Sequence, residues 1–308
     1  MKIAYYPGCT LKADARHFEE SAIESFRALG IELEELPRWN CCGTVFSFAT
    51  DNVMYHLAPV RNLLRVREQG KDTVLTLCSM CFNTLKRANK LFNEDAEKRD
   101  KITGIMDNEN LVYDGKTQVK HALELLRDEI GLQSLREKVG QGLKGVRLAP
   151  YYGCMLLRPD GLGIDDAENP TLFQDVLRAL GAEAASYPFQ GECCGAYQTV
   201  MQPEVVGERT YVLVDGARRS GADAIVVSCP LCAFNLDQRQ GIAGRLHSDF
   251  DAMPVFYITE CLHLALGLGF KEEWKRLHHV PVDAFLEKLH RSQNVAGAVK
   301  RQRSNIRE

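Results

Sequence analysis

Ten of the eleven cysteines in this 308-residue chain fall into two sets of five, in the same order. A single cysteine ends YYPGC at Cys9 and PYYGC at Cys154. Next comes a vicinal pair followed by glycine, WNCCG with Cys41 and Cys42, then ECCG with Cys193 and Cys194. A CxxC closes each set, Cys78 and Cys81 in LCSMC, Cys229 and Cys232 in SCPLC. The flanks repeat too: ALGIELEELPRWNCCG matches ALGAEAASYPFQGECCG, and DTVLTLCSMCFNTL matches DAIVVSCPLCAFNL. The offset between partners is nearly constant. Self-similarity of this kind marks a duplicated structural unit, so the chain must fold as two copies of one plan.

The residues between the cysteines give that plan. KIAYY and VRLAPYY are short apolar runs rich in strand formers, and each stops at a Gly-Cys. ADARHFEESAIESFRALG then places Phe18, Ala22, Ile23, Phe26 and Leu29 at helical spacing, closed by Gly30. Its counterpart NPTLFQDVLRALG has Pro170 near the start and Gly181 at the end. TVLTL and AIVVS are continuous apolar runs, as buried parallel strands are. Strands alternating with helices predict α/β units with parallel sheets. Sites in such sheets form beyond the carboxyl ends of the strands, and the single cysteine and the CxxC both occupy that edge. The stretch 90–145 separates the repeats, with charged NEDAEKRDK, turn-like DNEN and YDGK, and a helix around VKHALELLRDEIG. Its strand-then-helix order resembles VFYITECLHLALGLG at the end of the second repeat. The expected domains are 1–145 and 146–270, followed by a polar, helical tail over 271–308.

Composition narrows the function classes. Apolar residues at 45% and charged residues at 26% fit an ordinary globular protein. A net charge of -3 gives no reason to expect nucleic acid or an acidic membrane surface as partner. The basic end KRQRSNIRE reads as a solvated tail. No apolar run approaches the roughly 20 residues of a membrane span. MKIAYYPGC has no signal-peptide apolar region and reads as a strand. The expected location is the cytoplasm, where thiols stay reduced.

Single buried cysteines are often small hydrophobes, but that does not explain five in duplicate. Structural zinc takes four ligands, commonly from two CxxC-like pairs, whereas each repeat has one CxxC, one CC and a fifth thiol. A thioredoxin-type dithiol leaves three cysteines per repeat without a role. Soft thiolates suit iron clusters, and four suffice for an ordinary four-iron cube. The spacing is not the compact run of ferredoxins, so the fold must assemble the ligands from three places. Two adjacent thiols in a sharp turn, released by Gly43 or Gly195, can serve two irons or bridge them. The residues point to a cluster of unusual geometry.

The motifs YYPGCTLK, WNCCG, LCSMCFNTL, YYGC, CCGAY and SCPLCAFNL resemble the CCG-domain family, and within it the B subunits of heterodisulfide reductases, over roughly residues 1–270. The resemblance implies an α/β fold of two tandem, duplicated Rossmann-like CCG domains related by pseudo-twofold symmetry. It implies two non-cubane [4Fe-4S] clusters, each held by five cysteines with one of the CCG pair bridging irons. Carried over, Cys9, Cys41, Cys42, Cys78 and Cys81 hold one cluster, and Cys154, Cys193, Cys194, Cys229 and Cys232 hold the other. The clusters would face a cleft between the repeats, with Cys41, Cys42, Cys193 and Cys194 at its catalytic edge. A small-molecule or carrier-bound disulfide would enter there and be cleaved in two one-electron steps. The implied partners are a ferredoxin-like iron–sulfur subunit of the C type and a flavin subunit of the A type. A second reading is a pure electron-transfer subunit, since similar CCG proteins accompany glycolate, lactate and glycerol-3-phosphate oxidising systems.

Other residues have lesser claims. Lys12 and Arg158 follow the first cysteine of each repeat closely and are candidate contacts for an anionic substrate. Arg38, Trp39 and Asn40 precede the first CC pair, where the second copy has Phe189, Gln190, Gly191 and Glu192, a difference suited to an asymmetric disulfide. Cys261 has no partner in the repeat and reads as a spare buried thiol. His263 reads as structural, with His121 loosely equivalent in the first half, and His278 and His279 as solvated. No GxGxxG or phosphate-binding loop is visible, and PDGLGIDDAENP (159–170) reads as a loop, so flavin or nicotinamide chemistry belongs on another chain.

Overall fold

The computed structural model describes residues 1–44 and 52–305, with side chains as far as residue 294. The chain divides into two compact units, Met1–Glu129 with Cys154–Pro170, and Ile130–Gly153 with Thr171–Glu308. This differs from a single divide near 145, because the 154–170 stretch is tied to the first unit. Asn83 donates to the carbonyls of Met155 and Arg158, and Lys86 to that of Leu162. That stretch is turns and bends, as expected of a loop. The last three residues of KRQRSNIRE lie outside the described residues.

In the first unit the order is β1 (Lys2–Tyr5), α1 (Arg16–Ala28), β2 (Glu32–Glu35), α2 (Met54–Glu68), β3 (Thr73–Thr76), α3 (Ser79–Glu94), α4 (Ala96–Ile105) and β4 (Gln118–His121). The short α5 (Ala122–Leu125) and a π-helical turn, Leu126–Ile130, follow. The second unit has α6 (Leu132–Lys138), β5 (Arg147–Tyr151), α7 (Leu172–Ala179), β6 (Glu183–Ala184), α8 (Pro203–Arg219), β7 (Ala224–Val227), α9 (Pro230–Gln238), α10 (Gln240–Leu246), β8 (Val255–Tyr257) and α11 (Ile258–Ala265). The tail forms α12 (Glu272–Lys275) and α13 (Asp283–Asn305). Among the described residues no helix is long and apolar enough to cross a membrane.

Both sheets are four-stranded and parallel, with matching orders β2-β1-β3-β4 and β6-β5-β7-β8. The duplication in sequence is therefore a duplication of topology, and the fold is α/β. The apolar runs sit where the sequence predicts, with β7 buried at every residue. Phe18, Ala22 and Phe26 of α1 are fully buried, and Gly30 beyond its end takes a positive φ of 84°. Parallel strands point their carboxyl ends the same way. The cysteines follow β1, β2 and β3 in the first repeat and β5, β6 and β7 in the second, so each set follows the carboxyl ends of its own sheet's strands.

Two expectations need correction. The tail is not merely polar: Trp274, Val282, Phe285 and Leu289 are buried, and Phe285 lies 4.7 Å from the ring of Phe256 in β8. His278 is not solvated. Its side chain is 3% exposed, with Nδ1 2.9 Å from the Val255 carbonyl and Nε2 3.0 Å from a Glu260 carboxylate oxygen. Single-residue polarity misled here because the chain reverses after α12 and returns this histidine to the sheet. His279 is exposed, as expected.

Burial pushes the His278 pKa down, but the Glu260 carboxylate outweighs it and the net shift is upward. A raised native pKa means the stabilisation is complete below the ordinary imidazole value of about 6.5 and is lost as pH rises through the native value. We expect His278→Gln to cost about 3 kcal/mol near pH 6, with the melting-temperature gap to wild type narrowing as pH rises. A gap that widens with pH would contradict this ion pair.

Candidate functional site

In the first repeat, β1 ends at Tyr5 and the chain turns through Gly8, at φ 75°, to Cys9. A Cβ on Gly8 would lie 2.9 Å from the sulfur of Cys81, so only glycine lets the two strand ends close on one point. Cys78 caps the N-terminus of α3, and Cys81 lies in its first turn. The helix dipole there favours negative charge and lowers the cost of a thiolate. Gly43, at φ 71°, turns the chain after Cys41 and Cys42. The sulfurs of Cys9 and Cys41 lie 3.7 Å apart, as do those of Cys42 and Cys81. Cys78 is within hydrogen-bonding reach of Cys81. The structure thus links all five thiols of the first set.

The second repeat reproduces the buried part of this arrangement, around Cys194, Cys229 and Cys232. Gly153, at φ 63°, leaves room for a Cβ only 3.2 Å from the sulfur of Cys232. Cys229 caps α9, with Pro230 in its first turn. The sulfurs of Cys194 and Cys232 are 3.5 Å apart, and Cys229 reaches Cys232. Gly195, at φ 80°, donates its N–H to the sulfur of Cys193 at 3.3 Å. Cys154 directly follows Gly153 and opens the stretch that packs with the first unit.

Crowding sets the electrostatics. The Cys9 thiol is pushed up, first by its hydrogen bond with Cys41 and then by burial. Cys81 is raised by its bonds with Cys42 and Cys78, and then by burial. Cys232 is raised in the same way by Cys194 and Cys229. Cys42 is lowered, because Cys41 and Cys81 bond to its sulfur. Such neighbours cannot all ionise together unless cations replace their protons. All-sulfur donors at contact distance, in a cradle a single Cβ would fill, fit a thiophilic metal cluster. Exposure is graded alike in both sets. Cys9 and Cys41 are exposed and Cys154 and Cys193 intermediate, whereas Cys42, Cys78, Cys81, Cys194, Cys229 and Cys232 are buried.

Several supporting residues escaped the sequence reading. The hydroxyl of Tyr6 donates to the Asn40 carbonyl at 2.9 Å, and that of Tyr151 to the Glu192 carbonyl at 2.6 Å. Each bond fixes the residue just before a CC pair. Both tyrosines stand three places before the first cysteine of their repeat, a signal present in the YY motifs but not used. Burial, then neighbouring cysteine sulfurs, push both hydroxyls well up, so they remain donors. Asn62 of α2 clamps Asn40 by accepting from its N–H and donating to its carbonyl, at 3.0 and 2.8 Å. Trp39 packs edge-on to Tyr6 at 5.9 Å and donates to Glu35. Arg38, at φ 53°, pairs with Glu68.

The remaining candidates are placed as follows. Lys12 lies between Glu19 and Glu35, at 2.7 and 2.6 Å. Arg158 pairs with Glu168 at 2.7 Å. Cys261 is fully buried in α11, and burial pushes its thiol well up. His263 contacts the Gly269 carbonyl at 2.9 Å and the Trp274 ring, a structural role. His121 ends β4 and caps α5, and its Nε2 meets the Leu77 carbonyl at 2.8 Å. Its true counterpart is Tyr257, which ends β8 and caps α11, rather than His263.

Comparison with known proteins agrees with the repeat. The model of the CCG cysteine-rich domain matches twice, over residues 3–86 and 148–237. The 8-methylmenaquinol:fumarate reductase membrane anchor subunit of Wolinella succinogenes is 32% identical, over 92% of this chain and 98% of its own. A heterodisulfide reductase B-subunit-like protein of Archaeoglobus profundus is 29% identical, over 87% and 91%. A crystal structure of a hypothetical protein from Helicobacter pylori shares the fold at TM-score 0.70 and 13% identity. It covers 91% of this chain, which spans 52% of that one.

Gly8→Ala is expected to destabilise the first unit and lower its bound metal, because the new Cβ meets the Cys81 sulfur at a forced positive φ. Gly153→Ala, with more room, should lose less. Metal content and thermal melts of both variants check this, and equal behaviour would deny that the close approach matters.

Proposed function

The chain belongs to the CCG cysteine-rich-domain family, and on that footing we propose that it is the disulfide-reducing subunit of a heterodisulfide-reductase-like complex. The relatives named above are reductase subunits or like them, and with the doubled cysteine-rich domain they support an iron–sulfur oxidoreductase role. The reading assigns Cys9, Cys41, Cys42, Cys78 and Cys81 to one [4Fe-4S] cluster of non-cubane type. It assigns Cys154, Cys193, Cys194, Cys229 and Cys232 to the second. When bound, such clusters supply electrons singly and an iron site for a thiolate.

The observation that carries the reading is the graded exposure of a complete, doubled thiol set. The buried thiols of each repeat anchor, at helix N-termini and against tyrosine-pinned turns. The less buried pair, Cys9 with Cys41 or Cys154 with Cys193, leaves one side open to a substrate. Cleaving R–S–S–R′ takes two electrons and two protons and yields two thiols. Two like repeats then provide one site for each sulfur. Lys12 and Arg158 are proposed anion contacts, and both would have to exchange a carboxylate for the substrate. The proposed partners are a ferredoxin-like iron–sulfur subunit as one-electron donor and a flavin subunit behind it.

A second reading has a specific observation in its favour. The fumarate reductase subunit, named as a membrane anchor, matches at 32% identity along nearly its whole length, and the reaction in its name involves no disulfide, which favours a role in another complex, as a pure electron-transfer subunit. The test is iron and acid-labile sulfide on anaerobically purified protein, with EPR spectra before and after adding disulfide. We expect about eight irons per chain and a new paramagnetic signal with substrate on oxidation. Cys42→Ser and Cys194→Ser should each roughly halve the iron. Eight irons with no substrate-dependent signal would favour the carrier, and zinc without iron would overturn both readings.

A further inference from the structure

The two repeats share one plan, but their CCG turns are held by different chemistry. In the first, the clamp is the neutral amide of Asn62 on the backbone of Asn40. In the second, Arg209 of α8 takes that task. Its Nε donates to the Cys193 carbonyl at 3.2 Å, and its guanidinium pairs with Glu192 at 2.7 Å. Asn235, three residues past Cys232, donates to the Cys194 carbonyl at 2.9 Å and lies 3.6 Å from the Cys194 sulfur. Thr84 holds the corresponding place past Cys81, but its hydroxyl donates within its own helix to Met80. Backbone donors do not distinguish the repeats, since Gly195 serves Cys193 and Thr44 serves Cys42.

Reducing a thiolate-bound cluster adds negative charge. Hydrogen bonds to its sulfurs and nearby positive charge stabilise that state and raise the potential. Glu192 opposes Arg209, but its side chain is 50% exposed against 33% for the arginine, so water screens the carboxylate more. The first repeat carries the opposite bias, one cation (Lys12) between two carboxylates (Glu19 and Glu35). Among the described residues, no cationic side chain hydrogen-bonds to its CCG turn.

We infer that Arg209 and Asn235 are positioning residues that make the second repeat the higher-potential half, so that the first electron from a one-electron donor rests there. The inference rests on the reading that each repeat holds a cluster. It gives the duplicated site a direction: the second repeat is reduced first and is the half prepared to meet the disulfide.

The experiment is an anaerobic redox titration followed by EPR on the full chain, with iron content measured on each sample. Wild type should show two waves, and Cys78→Ser, which disables the first repeat, should keep the upper one. Arg209→Gln should lower the upper wave so that its ratio of reduced to oxidised cluster at fixed potential falls about tenfold, or about 59 mV for one electron. Glu192→Gln should raise it, Arg209→Lys should retain most of it, and none should move the lower wave. Normal iron with an unmoved upper wave, or with both waves shifting together, overturns the inference and leaves the cluster reading standing. A chain that binds no iron–sulfur cluster overturns the reading and the inference with it.

Discussion

Thiol crowding is the constraint on which the rest of this structure depends. Sulfurs held 3.5–3.7 Å apart are in ordinary contact as thiols but repel as thiolates, so the scaffold must hold them together when they ionise. It does so with elements that are individually weak. Parallel strands deliver three chain segments to one edge, and glycines at positive φ remove the Cβ that would block closure. Each CxxC occupies the N-cap and first turn of a helix, and a tyrosine hydroxyl holds the residue before each CC pair. An alkyl or thiol core of this density would be no more stable than an ordinary one. Its persistence in duplicate makes sense if metal cations take the place of the thiol protons.

Much of this was legible in the sequence, because it was carried by order and spacing. The cysteine order gave the duplication, and the apolar runs TVLTL and AIVVS gave the buried parallel strands. What was not legible depended on contacts distant along the chain. Asn62 and Arg209 sit in the middle of helices and look like ordinary polar residues until the CCG turn packs beside them. His278 reads as a tail histidine because the return of the chain onto β8 is a tertiary event. The pairing of His121 with Tyr257 was hidden by residue type, although both end a strand and cap the next helix. Tyr6 and Tyr151 were the exception, since their common place in the YY motifs was visible and only their role was not.

Duplication also explains why the repeats diverge where they do. The cysteines and the turn glycines make the thiol set itself, and each is present in both copies. The tyrosines and the clamps act on the backbone beside it, Tyr6 and Asn62 on Asn40, Tyr151 on Glu192 and Arg209 on Cys193, and of these only the clamps change their chemistry between copies. A neutral amide and a guanidinium can both fix a turn, so geometry is kept while charge is free to change. Divergence at that distance alters the electrostatics of a site without dismantling it.

That freedom bears on how relatives named for different activities share one scaffold. A fumarate reductase subunit and a heterodisulfide reductase B-like protein both match this chain over most of their lengths. A carrier and a disulfide-cleaving site place different demands on the same thiols. A carrier gains by covering its cluster, because exposure admits water and side reactions. A cleaving site must leave one face open. In this chain six of the ten repeated thiols are buried, and in the first repeat Cys9 and Cys41 are the exposed ones. Covering them would take only a few bulky residues on the turns after Gly8 and before Cys41. Beside them Thr10 is small, Asn40 is committed to the backbone, and the bulky Trp39 is packed edge-on to Tyr6 and bonded to Glu35, so the bulk next to Cys41 is already engaged elsewhere.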